Sequence, residues 1–234
     1  MANDQTLSDK FVFPKWANYL LPVIVLSAVG GGAMVPVVVG LGFSANTLNV
    51  GYAPVQPVPY SHALHVGELG IDCRYCHTTV DDASFAAIPP TQTCMNCHSK
   101  IRADSPRLEA VFESNKTGES VPWVKVHDLP DYVYFNHSAH VNKGVSCVSC
   151  HGRVDKMEVV THATPLSMGW CLDCHRAPEK HLRPLDKVTD LAWTPTPQPG
   201  ETPEAAQLRV GLQQKSLLKI NDEAFMTSCS TCHR

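Results

Sequence analysis

Five times the chain carries two cysteines separated by two residues and followed at once by a histidine. The runs are Cys73-Arg-Tyr-Cys76-His77, Cys94-Met-Asn-Cys97-His98, Cys147-Val-Ser-Cys150-His151, Cys171-Leu-Asp-Cys174-His175 and Cys229-Ser-Thr-Cys232-His233. Together they use all 10 cysteines of the 234 residues. This pattern is the attachment signal for c-type haem. Two thiols three positions apart reach the two vinyl groups along one edge of a porphyrin and form thioethers. The histidine that follows is then placed to ligate the iron from the proximal side. The cofactor expectation is five covalently bound haem c, with His77, His98, His151, His175 and His233 as proximal ligands.

Other uses of paired cysteines fit less well. Structural zinc takes two such pairs per tetrahedral ion; five pairs is an odd number, and zinc gives the adjacent histidines no role. A thioredoxin-like pair needs a βαβ setting, and disulfides do not require a histidine after each pair. The 18 prolines argue against long regular elements. With a formal charge of −3 there is no basic excess to neutralise phosphates, which excludes electrostatic support for nucleic-acid binding. Two propionates and one residual positive charge per haem would bring the net charge to about −8.

Seven of the 12 histidines lie outside the motifs. Four fall into a repeat: Tyr60-Ser-His62-Ala-Leu-His65-Val before the first motif, and Phe135-Asn-His137-Ser-Ala-His140-Val before the third. Each unit continues to a further motif, so residues 60–104 and 135–176 read as two copies of a two-haem module. Residues i and i+3 share one side of a helical turn, so each histidine pair is suited to reach two neighbouring irons. His62, His65, His137 and His140 are therefore the expected distal ligands. His127 is the preferred fifth, with Met168 as an alternative because methionine also ligates haem iron. His162 and His181 are expected at the surface. Six-coordinate irons leave no open position for substrate, which points to electron transfer and to no catalytic residue.

The elements that must position these groups are sparse. No charged residue occurs from Trp16 to Gly67, and 16–43 is apolar throughout. As a helix that stretch is roughly 42 Å long, enough to cross a bilayer. Trp16, Tyr19 and Phe43 suit its interfaces. Lys10 and Lys15 precede it and no Lys or Arg follows until Arg74, so the positive-inside rule places the N-terminus in the cytoplasm and the haems outside. A cleaved signal peptide ending near Ala33 is the competing reading. Ser105-Pro106 and Thr202-Pro203 are expected helix starts, and 176–203 reads as a Pro-rich connector. The resulting division is 1–15 cytoplasmic N-terminus, 16–43 transmembrane helix, 44–59 linker, 60–104 first module, 105–134 connecting segment, 135–176 second module, and 177–234 connector with the fifth haem. The expected fold class is a multihaem cytochrome c, mostly coil with short helices wrapped around five haems, plus one N-terminal transmembrane helix.

Several stretches resemble the pentahaem cytochrome c component of bacterial alternative complex III. They include His65-Val-Gly-Glu-Leu-Gly-Ile-Asp-Cys73-Arg-Tyr-Cys76-His77, Ile88-Pro-Pro-Thr-Gln-Thr-Cys94-Met-Asn-Cys97-His98, Tyr134-Phe-Asn-His137-Ser-Ala-His140-Val, Pro165-Leu-Ser-Met168-Gly-Trp-Cys171 and Thr227-Ser-Cys229-Ser-Thr-Cys232-His233-Arg234. The two-haem modules are similar to class III multihaem cytochromes. The resemblance implies an electron-transfer subunit of a quinol oxidoreductase in the bacterial inner membrane. Its implied partners are an iron–sulfur subunit, polytopic quinol-oxidising membrane subunits, a monohaem cytochrome c subunit, membrane lipid and a downstream electron acceptor. The alternative is a self-sufficient, membrane-anchored quinol dehydrogenase of the small multihaem type.

Overall fold

The computed structural model describes residues 13–42 and 48–233. Most of the expected N-terminal segment (1–12, Lys10 included), Phe43, the start of the expected linker at 44–47, and Arg234 lie outside the described residues. The chain divides into two units, 1–47 and 48–234.

In the first unit a 3-10 turn, Lys15–Tyr19, runs into α1, Leu20–Gly42. Pro14 precedes the turn and Pro22 lies in the first turn of α1, where no intrahelical N–H bond is lost. The 28 residues from Lys15 to Gly42 have a mean hydropathy of 2.2 in their most apolar window, and none of that window is buried. They are long and apolar enough to span a membrane. Exposed Leu21, Leu26, Val29, Val35 and Leu41 on all sides of α1 mark a surface suited to lipid rather than water.

The second unit is built from short helices. They are α2 (Cys73–Cys76), α3 (Thr91–His98), α4 (Glu109–Thr117), α5 (His137–Val141), α6 (Cys147–His151), α7 (Met168–Arg176), α8 (Pro203–Leu217), α9 (Glu223–Met226) and α10 (Cys229–Cys232). Among the described residues the only extended pairing is an isolated antiparallel bridge between Val145 and Leu182. The expected starts at Ser105 and Thr202 are present: Pro106 opens a 3-10 turn ahead of α4, and the Thr202 side chain accepts from the Ala205 amide to cap α8. The apolar core is thin. Val80, Val141 and Val188 form a cluster with Ala86 and Cys147 against it. Leu182 and Val188 are almost wholly covered.

Close backbone approach demands glycine at 67, against the Asp155 carbonyl, and at 144 and 211. At Gly211 a Cβ would overlap the Glu179 carbonyl oxygen, so α8 lies directly on the Pro178–Lys180 turn. At Gly144, φ is +79° and a Cβ would meet the Arg183 carbonyl at 2.5 Å.

Candidate haem sites

Every attachment motif opens or lies within a helix. That places Cys i and Cys i+3 on one face; His98, His151 and His175 continue their helices, while His77 and His233 follow theirs in non-helical backbone. Three of the five helices are started by a polar side chain. Asp72 accepts from the Arg74 amide at 2.8 Å, Ser146 from Val148 at 3.4 Å and Ser167 from Trp170 at 3.3 Å. The buried Ser146 hydroxyl also donates to the Val188 carbonyl at 2.6 Å, tying α6 to the valine cluster.

The two His-x-x-His runs have the same local geometry. In the first, the Tyr60 ring lies edge-on to His62 at 4.7 Å and stacks on His65 at 4.4 Å. In the second, Phe135 lies edge-on to His137 at 4.7 Å and stacks on His140 at 4.6 Å. One aromatic ring thus fixes two imidazoles in each copy. The copies grip one another as well. The Ala63 amide donates to the Met157 carbonyl at 3.0 Å, while the His137 and Ser138 amides donate to Ser84 and Ala83 at 3.1 Å.

Most of the candidate ligand histidines are tethered through Nδ1. His77 donates to the Ala87 carbonyl, His98 to Ile101, His175 to Met226 and His233 to Tyr132, all within 2.7–2.9 Å. His65, His137 and His140 donate to Ser61, Ser84 and Asn136 at 2.7–2.8 Å. Such a bond fixes the tautomer and leaves the Nε2 lone pair for a metal.

Ring spacing tests whether these imidazoles fit iron. A metal–imidazole bond is about 2 Å, so two rings sharing one metal hold their centroids roughly 6 Å apart. His65 and His98 are 6.2 Å apart, His140 and His175 6.2 Å, and His137 and His151 6.3 Å. Stacked or edge contacts without a metal bring rings closer, as His127 and His151 show at 4.4 Å. The buried Nδ1 of His62 and Nε2 of His127 have no hydrogen-bond partner. Left unpaired, each costs free energy; coordination through that same nitrogen would remove the cost. The donor set therefore fits haem.

Burial favours the neutral form of three of these imidazoles, as ligation requires. It pushes the His151 imidazole down to about 3, helped by the neighbouring His127 and His137. Burial and His77 lower His62 to about 4, and burial and His162 lower His127 to about 4. Burial raises the thiols of Cys150, to about 12, and Cys174, to about 11.

The structure departs from expectation at one histidine. His162, read as a surface residue, is 4% exposed and neither of its ring nitrogens has a partner. It lies 5.0 Å from His127. No periodicity or motif marks it. Only its backbone pairing with Gly51 and Tyr52, two long-range hydrogen bonds, draws it inside. His181 is exposed, as expected. His127 stands against His151 and His162. The ring beside His233 is that of Tyr132, at 5.8 Å. Met168 is 65% exposed at the start of α7.

No protein-family profile matches the chain. Over 97 residues, it is 41% identical to the multiheme cytochrome c subunit of the menaquinone reductase of Nitratidesulfovibrio vulgaris (strain Hildenborough). The likeness is to a multihaem cytochrome c. It covers 41% of this chain and 45% of the relative, so the matched stretch spans under half of that protein. It supports covalently held haem and an electron-transfer component rather than a chain with its own catalytic site.

Proposed function

We propose that the chain is a membrane-anchored pentahaem electron-transfer subunit of a quinone-reacting complex. In it, Cys73, Cys76, Cys94, Cys97, Cys147, Cys150, Cys171, Cys174, Cys229 and Cys232 hold the porphyrins. The proximal ligands are His77, His98, His151, His175 and His233; the distal ligands include His62, His65, His137 and His140. His127 is the fifth distal candidate and Met168 its alternative. The observation that carries this reading is the iron-sized gap between His65 and His98, repeated between His140 and His175 at the same positions of the second module. Haem iron, when bound, supplies one-electron carriage between its ferric and ferrous states. The chain's own residues hold both axial positions, fix the imidazole tautomers through backbone carbonyls and leave no coordination position for substrate.

The apolar stretch Lys15–Gly42 anchors the protein as a single pass, with the haem unit on the extracytoplasmic side of the bacterial inner membrane. The complex is of the alternative complex III kind. A polytopic subunit oxidises quinol, an iron–sulfur subunit feeds the haems, and a monohaem cytochrome or oxidase takes the electrons. All 10 cysteines are used in the motifs, so iron–sulfur centres must come from a partner. A second reading runs electrons the other way, toward menaquinone; the name of the 41% identical relative favours it.

Purification of the tagged chain from its native membrane tests the proposal. Five thioether-bound haems per chain, no carbon monoxide binding on reduction, and a co-purifying iron–sulfur protein are expected. Fewer haems, or a chain that reacts with quinol alone, would overturn it. Reduction of the haems by a menaquinol analogue, compared with oxidation of the reduced haems by menaquinone, separates the two directions.

A further inference from the structure

Among the described residues, contacts between the five motifs run pairwise and in sequence. Between the second motif and the first, Asn96 Nδ2 donates to the Tyr75 hydroxyl at 3.0 Å; each residue lies between the two cysteines of its own motif. Between the first and the third, the thiols of Cys73 and Cys147 stand beside one another, and the Asn142 side chain just beyond α5 donates to the Asp81 carbonyl at 2.7 Å. Cys147 also packs on the cluster containing Val80, three residues beyond His77. Between the third and the fourth, α5 supplies both partners: His137 lies 6.3 Å from His151, and His140, one turn on, lies 6.2 Å from His175. Between the fourth and the fifth, His175 Nδ1 donates to the Met226 carbonyl at 2.7 Å, in α9 just before Cys229, and α7 packs against α9.

The thiols repeat the same neighbour relations. Cys76 lies within electrostatic reach of Cys94, Cys150 of Cys174, and Cys171 of Cys232. Exposure agrees independently. Of the ten thiols, Cys97 and Cys229 are exposed and the other eight are partly covered. These two belong to the second and fifth motifs, the ends of the contact sequence.

We infer that the five attachment motifs stand in single file in space in the order second, first, third, fourth, fifth, so that electrons are exchanged with other proteins at the two outer motifs, Cys94–His98 and Cys229–His233. The order differs from chain order because the second motif folds back outside the first. The inference rests on the proposed reading of the motifs as haem sites. An electron received at one end from a reduced one-electron partner is given up at the other to an oxidised one. One partner loses one electron and the other gains one.

Replacing Cys147 and Cys150 together by alanine removes the central attachment site and cuts the file into two halves of two. In the assembled complex, reduction by menadiol is followed at the haem absorbance by stopped flow. The expected fast phase reduces two of the remaining four haems whichever end receives the electrons, while dithionite reduces all four. A fast phase that reduces three or all four overturns the order. Because that variant can fail to assemble, the iron positions are also read from density for the native holo-complex. A single file with the haems of Cys97 and Cys229 outermost is expected. A branched or compact cluster, or another haem at either end, refutes it. Native haem content is counted first; fewer than five per chain defeats the reading of the sites themselves, separately from their order.

Discussion

At the scale of single residues, chemistry is set by what each imidazole nitrogen touches. The seven Nδ1-to-carbonyl bonds hold rings that would otherwise turn freely. His140 combines that tether with burial, which lowers its proton affinity. Replacement His140→Met should keep haem attachment, which depends on the cysteines. It should raise the midpoint potential of one haem by on the order of 100 mV, since axial ligands command a wide range; a spectroelectrochemical titration reads this. A second residue-scale effect concerns acid stability. Arg153 donates to both oxygens of Asp155, at 2.8 and 2.6 Å, in the segment that receives the first His-x-x-His turn. These bonds hold the Asp155 carboxyl below the usual carboxylate range, against the opposing effect of burial. A depressed folded-state value means the contribution is present above about pH 4 and is lost as pH falls through the folded value. Wild type should therefore be more stable than Arg153→Gln at pH 7, and the gap should close below about pH 4. Unfolding midpoints across that range measure it.

At the scale of elements, helices this short have little stability of their own. They are fixed by caps, by covalent attachment and by contacts at a few backbone points. The longest helix in the haem unit, α8, shows how tight such a point is. Its Gly211 lies on the Glu179 carbonyl, and Lys215 one turn on pairs with the Glu179 carboxylate at 2.8 Å. Gly211→Ala has no room for its methyl group without moving α8 or the turn. A loss of about 1–3 kcal/mol is expected from the forced shift, despite alanine's better helix propensity. Thermal unfolding of the holoprotein checks the sign, since propensity alone would predict a gain. The α8 start was readable from Thr202-Pro203, because capping is local. Its partner was not, because nothing in the sequence says which turn a glycine faces.

At the scale of the whole molecule, the described haem unit buries a modest set of valines, two leucines, one alanine and a few polar side chains. A conventional core cannot offset the ordering entropy of so much irregular chain. Covalent haem then serves as structure as well as cofactor. The chain made where haem attachment is absent should lack a cooperative thermal transition and should be degraded in cells. Calorimetry of haem-free protein beside the holoprotein tests this, with a sharp transition expected only in the latter.

What the sequence by itself determined is everything carried by short spacing. Cys-x-x-Cys-His specifies attachment because two thiols one helical turn apart reach one porphyrin edge and the imidazole follows them at once. The His-x-x-His repeat is visible because its aromatic leader and spacing recur together. The apolar run Lys15–Gly42 is visible because a bilayer demands unbroken hydropathy. Tertiary structure alone decided which motif stands beside which, and which lone histidines are inside. His162 is covered through backbone pairing with residues more than a hundred positions away. Cys73 meets Cys147 because the two modules interlock. Such pairings depend on how the chain returns past itself, and no local pattern of residue types encodes that return.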